Sequence, residues 1–215
     1  MSNSFNLNFQ MKGPIQQPAA SPPSLTLYKL FPTVIWDAQL TQFAGSFDLW
    51  KREILQLRDA DPRSATRSTR LGWSSQDRAI LDNAVFAPLK AEITRLVGSA
   101  LEHTAGEHVP FKLESWANLH DRGGLNQLHM HEHALLSGVF YLSVPEGSGP
   151  LLFRDPRPGV LHSPFGGEGP NACKVVSLPP RAGLLVLFPH WLEHSVEPHD
   201  SDEPRIAIAF NAARN

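Results

Sequence analysis

The feature that most constrains this chain is its second half, where short β-type runs are separated by glycine, proline and asparagine from about Phe111 onward. Runs near Phe111 to Leu119, Asn126 to Glu132, Leu136 to Val144, Leu151 to Arg154, Lys174 to Leu178, Gly183 to Phe188, Ser195 to Pro198 and Arg205 to Asn211 read as strands. About eight short strands in roughly a hundred residues predict a β-sandwich or jelly roll. Residues 157–171, RPGVLHSPFGGEGPN, form a long loop and a candidate lid.

The first half is different in kind. Phe43, Phe47, Trp50, Ile54 and Leu57 step by four and three, the stripe of a helix buried on one face, and Asp61-Pro62 ends it. Leu89, Ile93, Leu96, Val97, Ala100 and Leu101 mark a second helix, with Pro88 in its first turn and Gly106 beyond its end. The helical region spans about 38–104 and the β core about 111–211, one domain over 25–215. LTLYKLFPTVIW, residues 25–36, reads as strand pieces split at Pro32 that pin an edge of the core. Residues 1–24, rich in Asn, Gln, Ser and Pro, read as a disordered arm.

Charge excludes a whole-surface attraction to nucleic acid or anionic lipid: 19 Lys+Arg face 21 Asp+Glu, a net −2. No apolar run approaches the ~18 residues that span a bilayer, and the N-terminus lacks the apolar stretch of a secretory signal. The single Cys173 rules out an internal disulfide and reads as a small buried apolar residue. The expectation is a cytoplasmic protein with a small-molecule or protein substrate and no nucleic-acid or membrane partner. An exposed edge strand would allow a homodimer.

Ten histidines matter through their placement. In QLHMHEH, residues 127–133, alternate side chains of a strand share a face, so His129 and His131 stand ~6.6 Å apart along the chain and are able to converge on one metal. Parity equally permits His131 with His133. In FPHWLEHSV, residues 188–196, His194 follows an apolar strand, and His190 beside Pro189 competes with it. The last strand, RIAIAFN, puts Ile206, Ile208 and Phe210 on one face and Arg205, Ala207, Ala209 and Asn211 on the other. That second face is small apart from one guanidinium, whose planar fork matches a carboxylate.

These pieces, with SWANLH from Ser115, NQLHMHEHALLSGVFYL, FRDPR from Phe153, FPTVIW and GWSSQD at 72–77, resemble a bacterial and phage family of Fe(II)- and 2-oxoglutarate-dependent oxygenases over most of residues 30–211. The resemblance implies a double-stranded β-helix (a jelly roll, cupin-like). It also implies Fe(II) held by His129, His131 and His194, and 2-oxoglutarate as cosubstrate with its far carboxylate on Arg205. Tyr141 and Ser137, on one strand face, are candidates for a further hydrogen bond to that carboxylate. The implied reaction is hydroxylation of an unidentified substrate by dioxygen, with decarboxylation of 2-oxoglutarate to succinate. One departure stands out: the wider superfamily places a carboxylate where this chain has His131.

Two other readings compete. One is a cupin-like isomerase or hydrolase using Zn, Mn or Ni without oxygen chemistry; the other is a metal-free β-sandwich binding module. A nucleophile elbow and a phosphate loop are both absent: Gly147-Ser148-Gly149 and Gly166-Gly167-Glu168-Gly169 lack the required companions. Arg63 to Arg70, RSATRSTR, reads as a solvated loop, and Trp73, Trp116 and Phe165 as either pocket or core.

Overall fold

The computed structural model describes residues 28, 30–63, 68–75, 79–169 and 171–214. The chain forms two units, Met1–Thr33 and Val34–Asn215. Of the first, Tyr28 and Leu30–Thr33 are described; they are exposed and belong to no strand. The expected arm at 1–24 lies outside the described residues. Of the strand pieces expected within 25–36, residues 25–27 and 29 lie outside the described residues, and among the described ones strand begins at Trp36.

Among its described residues the second unit carries nine strands, all paired antiparallel: β1 (Trp36–Gln39), β2 (Thr69–Ser74), β3 (Lys112–His129), β4 (Ala134–Ser143), β5 (Leu151–Arg154), β6 (Val175–Leu178), β7 (Leu184–Pro189), β8 (His194–Val196) and β9 (Arg205–Ala213). The order is β1-β7-β4-β9-β3-β8-β5-β6, with β2 on β3. This sheet curls into the half-barrel of a jelly roll.

Two expected strands, Phe111 to Leu119 and Asn126 to Glu132, are one 18-residue strand. Its first half pairs with β9 and its last residues with β8, so β3 joins the two walls of the barrel. The crease falls at Gly123-Gly124. Gly123 has φ +82, and a Cβ on Gly124 would lie 2.6 Å from the Leu71 carbonyl oxygen and 2.8 Å from that of Asp121. Only glycine lets the strands approach so closely there. β2 was not anticipated, because Thr69–Ser74 has no clean alternation; it forms because β3 offers an edge.

Two helices cover the outer face. α1 (Phe47–Ala60) follows a 3-10 turn at Thr41–Ser46 and stops at Asp61. α2 (Ala87–Ala105) has Pro88 in its first turn and ends on Gly106 at φ +76, whose N–H donates to the Glu102 carbonyl. Trp50, Ile54, Leu89, Ile93, Val97 and Leu101 are buried together with Phe140 of β4 and Ile206, Ile208 and Phe210 of β9. The Phe140 ring meets Phe47 at 5.9 Å and Trp50 at 6.2 Å between centroids. Each such aromatic contributes about 1.5–3 kcal/mol by burial, and this packing turns the opposite faces of β4 and β9 inward.

The long loop contains a short helix, α3 (Pro158–Leu161), and Cys173 is half-buried rather than buried. Trp73 is core, Trp116 lines the barrel interior, and Phe165 is 68% exposed. Of the arginine-rich stretch, Arg70 lies in β2 and residues 64–67 are outside the described ones. No described helix is long and apolar enough to cross a membrane.

Candidate metal centre

The inner faces of β3, β4 and β9 line a cavity of about 860 Å³. Register assigns its floor. Arg205 stands beside His120; Ala207 lies between Asn118 and Tyr141; Ala209 between Trp116 and Val139; Asn211 beside Ser137. The alternation expected for β9 is the one observed, and the two alanines leave open space between Arg205 and Asn211.

At one end three imidazoles converge. Ring centroids of His129 and His194 are 4.3 Å apart, His131 and His194 5.0 Å, and His129 and His131 5.2 Å. One nitrogen from each lies within 4.8 Å of the others, and among the described residues no carboxylate joins the group. Adjacent ligands of a cation held at ~2.1 Å sit roughly 3 Å apart, so the donors need to move by only ~2 Å to share an ion.

Different elements place each ring. His129 ends β3 and His194 begins β8 directly across from it, so antiparallel register alone brings these two together. His131 is not in the strand, contrary to the parity argument; β3 stops at His129. The His131 N–H donates to the His190 carbonyl at 3.0 Å, and His190 Nδ1–H donates to the His131 carbonyl at 2.9 Å. This exchange ties the loop after β3 to the end of β7 and swings the His131 ring inward. His190, the expected competitor, is therefore a brace outside the cluster. His133, the other candidate, sits at φ +63 with its side chain 94% exposed.

The tautomers follow from the partners. His129 Nδ1–H donates to the Gln127 carbonyl at 2.7 Å and His194 Nδ1–H to the Leu192 carbonyl at 2.8 Å. His131 Nδ1–H meets Asn211 Oδ1 at 2.7 Å and Ser137 Oγ at 2.8 Å, and Ser137 itself donates to Asn211 Oδ1. A carbonyl only accepts, so each proton is on Nδ1 and each Nε2 carries the lone pair, the form a metal requires. Burial pushes the His129 pKa down. Burial, helped by His129, pushes His194 to about 3. Both rings are neutral near pH 7.

At the other end Arg205 is 2% exposed. Tyr141 lies close enough to feel its charge, and burial raises the Tyr141 pKa to about 12, so its hydroxyl keeps its proton. Ser137, expected near the carboxylate anchor, is instead at the Asn211 end with its hydroxyl engaged there. His120 and Asn211 were not singled out beforehand. The strand parity of Trp116, Asn118 and His120 in SWANLH carried the signal for His120.

Three imidazole nitrogens and a buried guanidinium in one jelly-roll cavity make a donor set for a metal ion at one end and for an anion at the other. Residues 114–211 match the family model described as "Putative 2OG-Fe(II) oxygenase". The fold is shared with solved structures of low identity. A Pseudomonas putida prolyl-4-hydroxylase is 17% identical with TM-score 0.61, over 85% of this chain and 94% of that one. The α-ketoglutarate-dependent epimerase SnoN of nogalamycin biosynthesis is 20% identical with TM-score 0.61, over 84% and 78%. HygX of Streptomyces hygroscopicus, solved with nickel and 2-oxoglutarate, is 15% identical with TM-score 0.59, over 85% and 84%. No curated protein matches the sequence. Residues 114–211, somewhat under half of the chain, are thus similar to the 2-oxoglutarate- and Fe(II)-dependent oxygenases, and the fold is one that such enzymes share. This favours the oxygenase over the hydrolase and binding-module readings.

Proposed function

We propose that this protein is a dioxygenase that hydroxylates an organic substrate while 2-oxoglutarate is decarboxylated to succinate, with Fe(II) held by His129, His131 and His194. The observation that carries the reading is the convergence of three Nδ1-protonated imidazoles in one cavity with a buried arginine. When bound, the iron and 2-oxoglutarate supply the oxidising chemistry. The protein's contribution is placement. Arg205 offers N–H groups to the distal carboxylate, the Tyr141 hydroxyl is a second donor beside it, and Ala207 and Ala209 leave the path between the two ends unobstructed.

Replacing a carboxylate by His131 leaves the metal's charge uncompensated by protein. The double negative charge of 2-oxoglutarate supplies the balance, so ion and cosubstrate favour each other's binding. Trp116 packs against His131 at 5.8 Å and walls the cavity beside the metal end. A single half-buried thiol suits a cytoplasmic location.

The test is anaerobic Fe(II) loading, exposure to oxygen, and measurement of succinate with and without 2-oxoglutarate. Succinate that depends on iron, oxygen and 2-oxoglutarate together is the expected result, even without the true substrate. Iron-loaded protein that neither binds nor consumes 2-oxoglutarate would overturn the reading.

A further inference from the structure

Arg205 as cosubstrate anchor is the reading on which this inference rests; the further question is what aims the guanidinium and keeps its charge available. Arg205 forms no ion pair with a carboxylate among the described residues. Nη1 donates to the Gly149 carbonyl at 2.8 Å and Nη2 to His120 Nδ1 at 2.8 Å, while Nε is buried with no hydrogen-bond partner. Both acceptors are held rigidly. His120 is the register partner of Arg205 across β3 and β9 and is 2% exposed. A Cβ on Gly149 would fall 2.2 Å from the Glu197 carbonyl oxygen, so that backbone packs closer than any side chain permits.

Both acceptors are also neutral. An Nδ1 that accepts from a guanidinium carries a lone pair, so the His120 proton is on Nε2. Burial, reinforced by Arg205 and His199, pushes the His120 pKa to about 3. A carboxylate in this place would form a bidentate pair with Arg205 and cancel its charge. A neutral acceptor takes one N–H and leaves the charge for a ligand. We propose that His120 is a positioning residue for 2-oxoglutarate: it orients the Arg205 fork and, by being neutral, reserves its positive charge for the distal carboxylate.

The test compares two near-isosteric substitutions that differ in charge. His120→Asn keeps a neutral acceptor near the Nδ1 position; His120→Asp replaces it with an anion. Each is loaded with Mn(II) and titrated calorimetrically with 2-oxoglutarate and with 2-oxopentanoate, which lacks the distal carboxylate. Mn(II) uptake should match wild type in both variants. His120→Asn should bind 2-oxoglutarate about as wild type does, and His120→Asp roughly 10- to 100-fold more weakly, the scale of a charge-assisted bond. Affinity for 2-oxopentanoate should be alike in all three.

A role in packing alone would move both variants together. Equal 2-oxoglutarate affinity in His120→Asn and His120→Asp, or an equal loss for both ligands, would overturn the proposal while leaving the oxygenase reading intact. Wild-type protein that takes up Mn(II) but does not bind 2-oxoglutarate would overturn both. If either variant melts before titration, His120→Gln and His120→Glu repeat the comparison.

Discussion

Replacing Asn211 tests whether the cavity wall orients a metal ligand. Asn211 Oδ1 lies 2.7 Å from His131 Nδ1 and 2.9 Å from Ser137 Oγ, so one amide oxygen accepts both protons. In Asn211→Ala the Ser137 hydroxyl, 2.8 Å from the same nitrogen, stays in place and accepts the Nδ1–H. The loss is then one net hydrogen bond, about 1 kcal/mol, or about fivefold in metal affinity. Ser137→Ala alone should cost less, because Asn211 remains. The double variant removes both of these acceptors, and the loss should grow to about 10- to 100-fold, more than the two single losses combined. The assay is competition with a chromophoric chelator for Fe(II) or Co(II) under nitrogen at neutral pH, with circular dichroism to confirm folding. A folded double variant with wild-type metal affinity would refute the orientation argument.

Three further outcomes are expected. His194→Ala should abolish Fe(II) uptake, since two imidazoles remain; undiminished iron content by elemental analysis would remove His194 from the centre. His120 and His194 titrate near 3 in the fold against 6.5 when unperturbed, so between those values the unfolded chain binds more protons and stability falls as pH drops. Each contributes up to about 1.4 kcal/mol per pH unit. Urea titrations of metal-free protein from about pH 7 to pH 4 should show this slope, shallower in His120→Asn, and equal slopes would count against a buried neutral His120. Gly124→Ala should destabilise the crease of β3 by about 1–3 kcal/mol, because its Cβ would meet backbone oxygens on two sides. At about 2–4 °C per kcal/mol for a chain of this size, differential scanning calorimetry resolves the change, and an unaltered melting temperature would contradict the clash.

Local periodicity made much of this protein legible from its residues. The spacing of Phe47, Trp50 and Ile54 marked α1, and Pro88 with Gly106 bracketed α2. Alternation in RIAIAFN separates Ile206, which faces the helix-covered core, from Arg205, which faces the cavity. These patterns are readable because side-chain direction repeats every two or 3.6 residues along one segment. What parity left open was decided in three dimensions. His131 rather than His133 joins the cluster because β3 ends at His129 and a backbone exchange with His190 redirects the next residues. Ser137 faces His131 rather than Arg205 because β4 pairs it with Asn211, and His120 meets Arg205 because β3 pairs the two. Register between distant strands depends on how whole sheets pack, and no single stretch of sequence contains it.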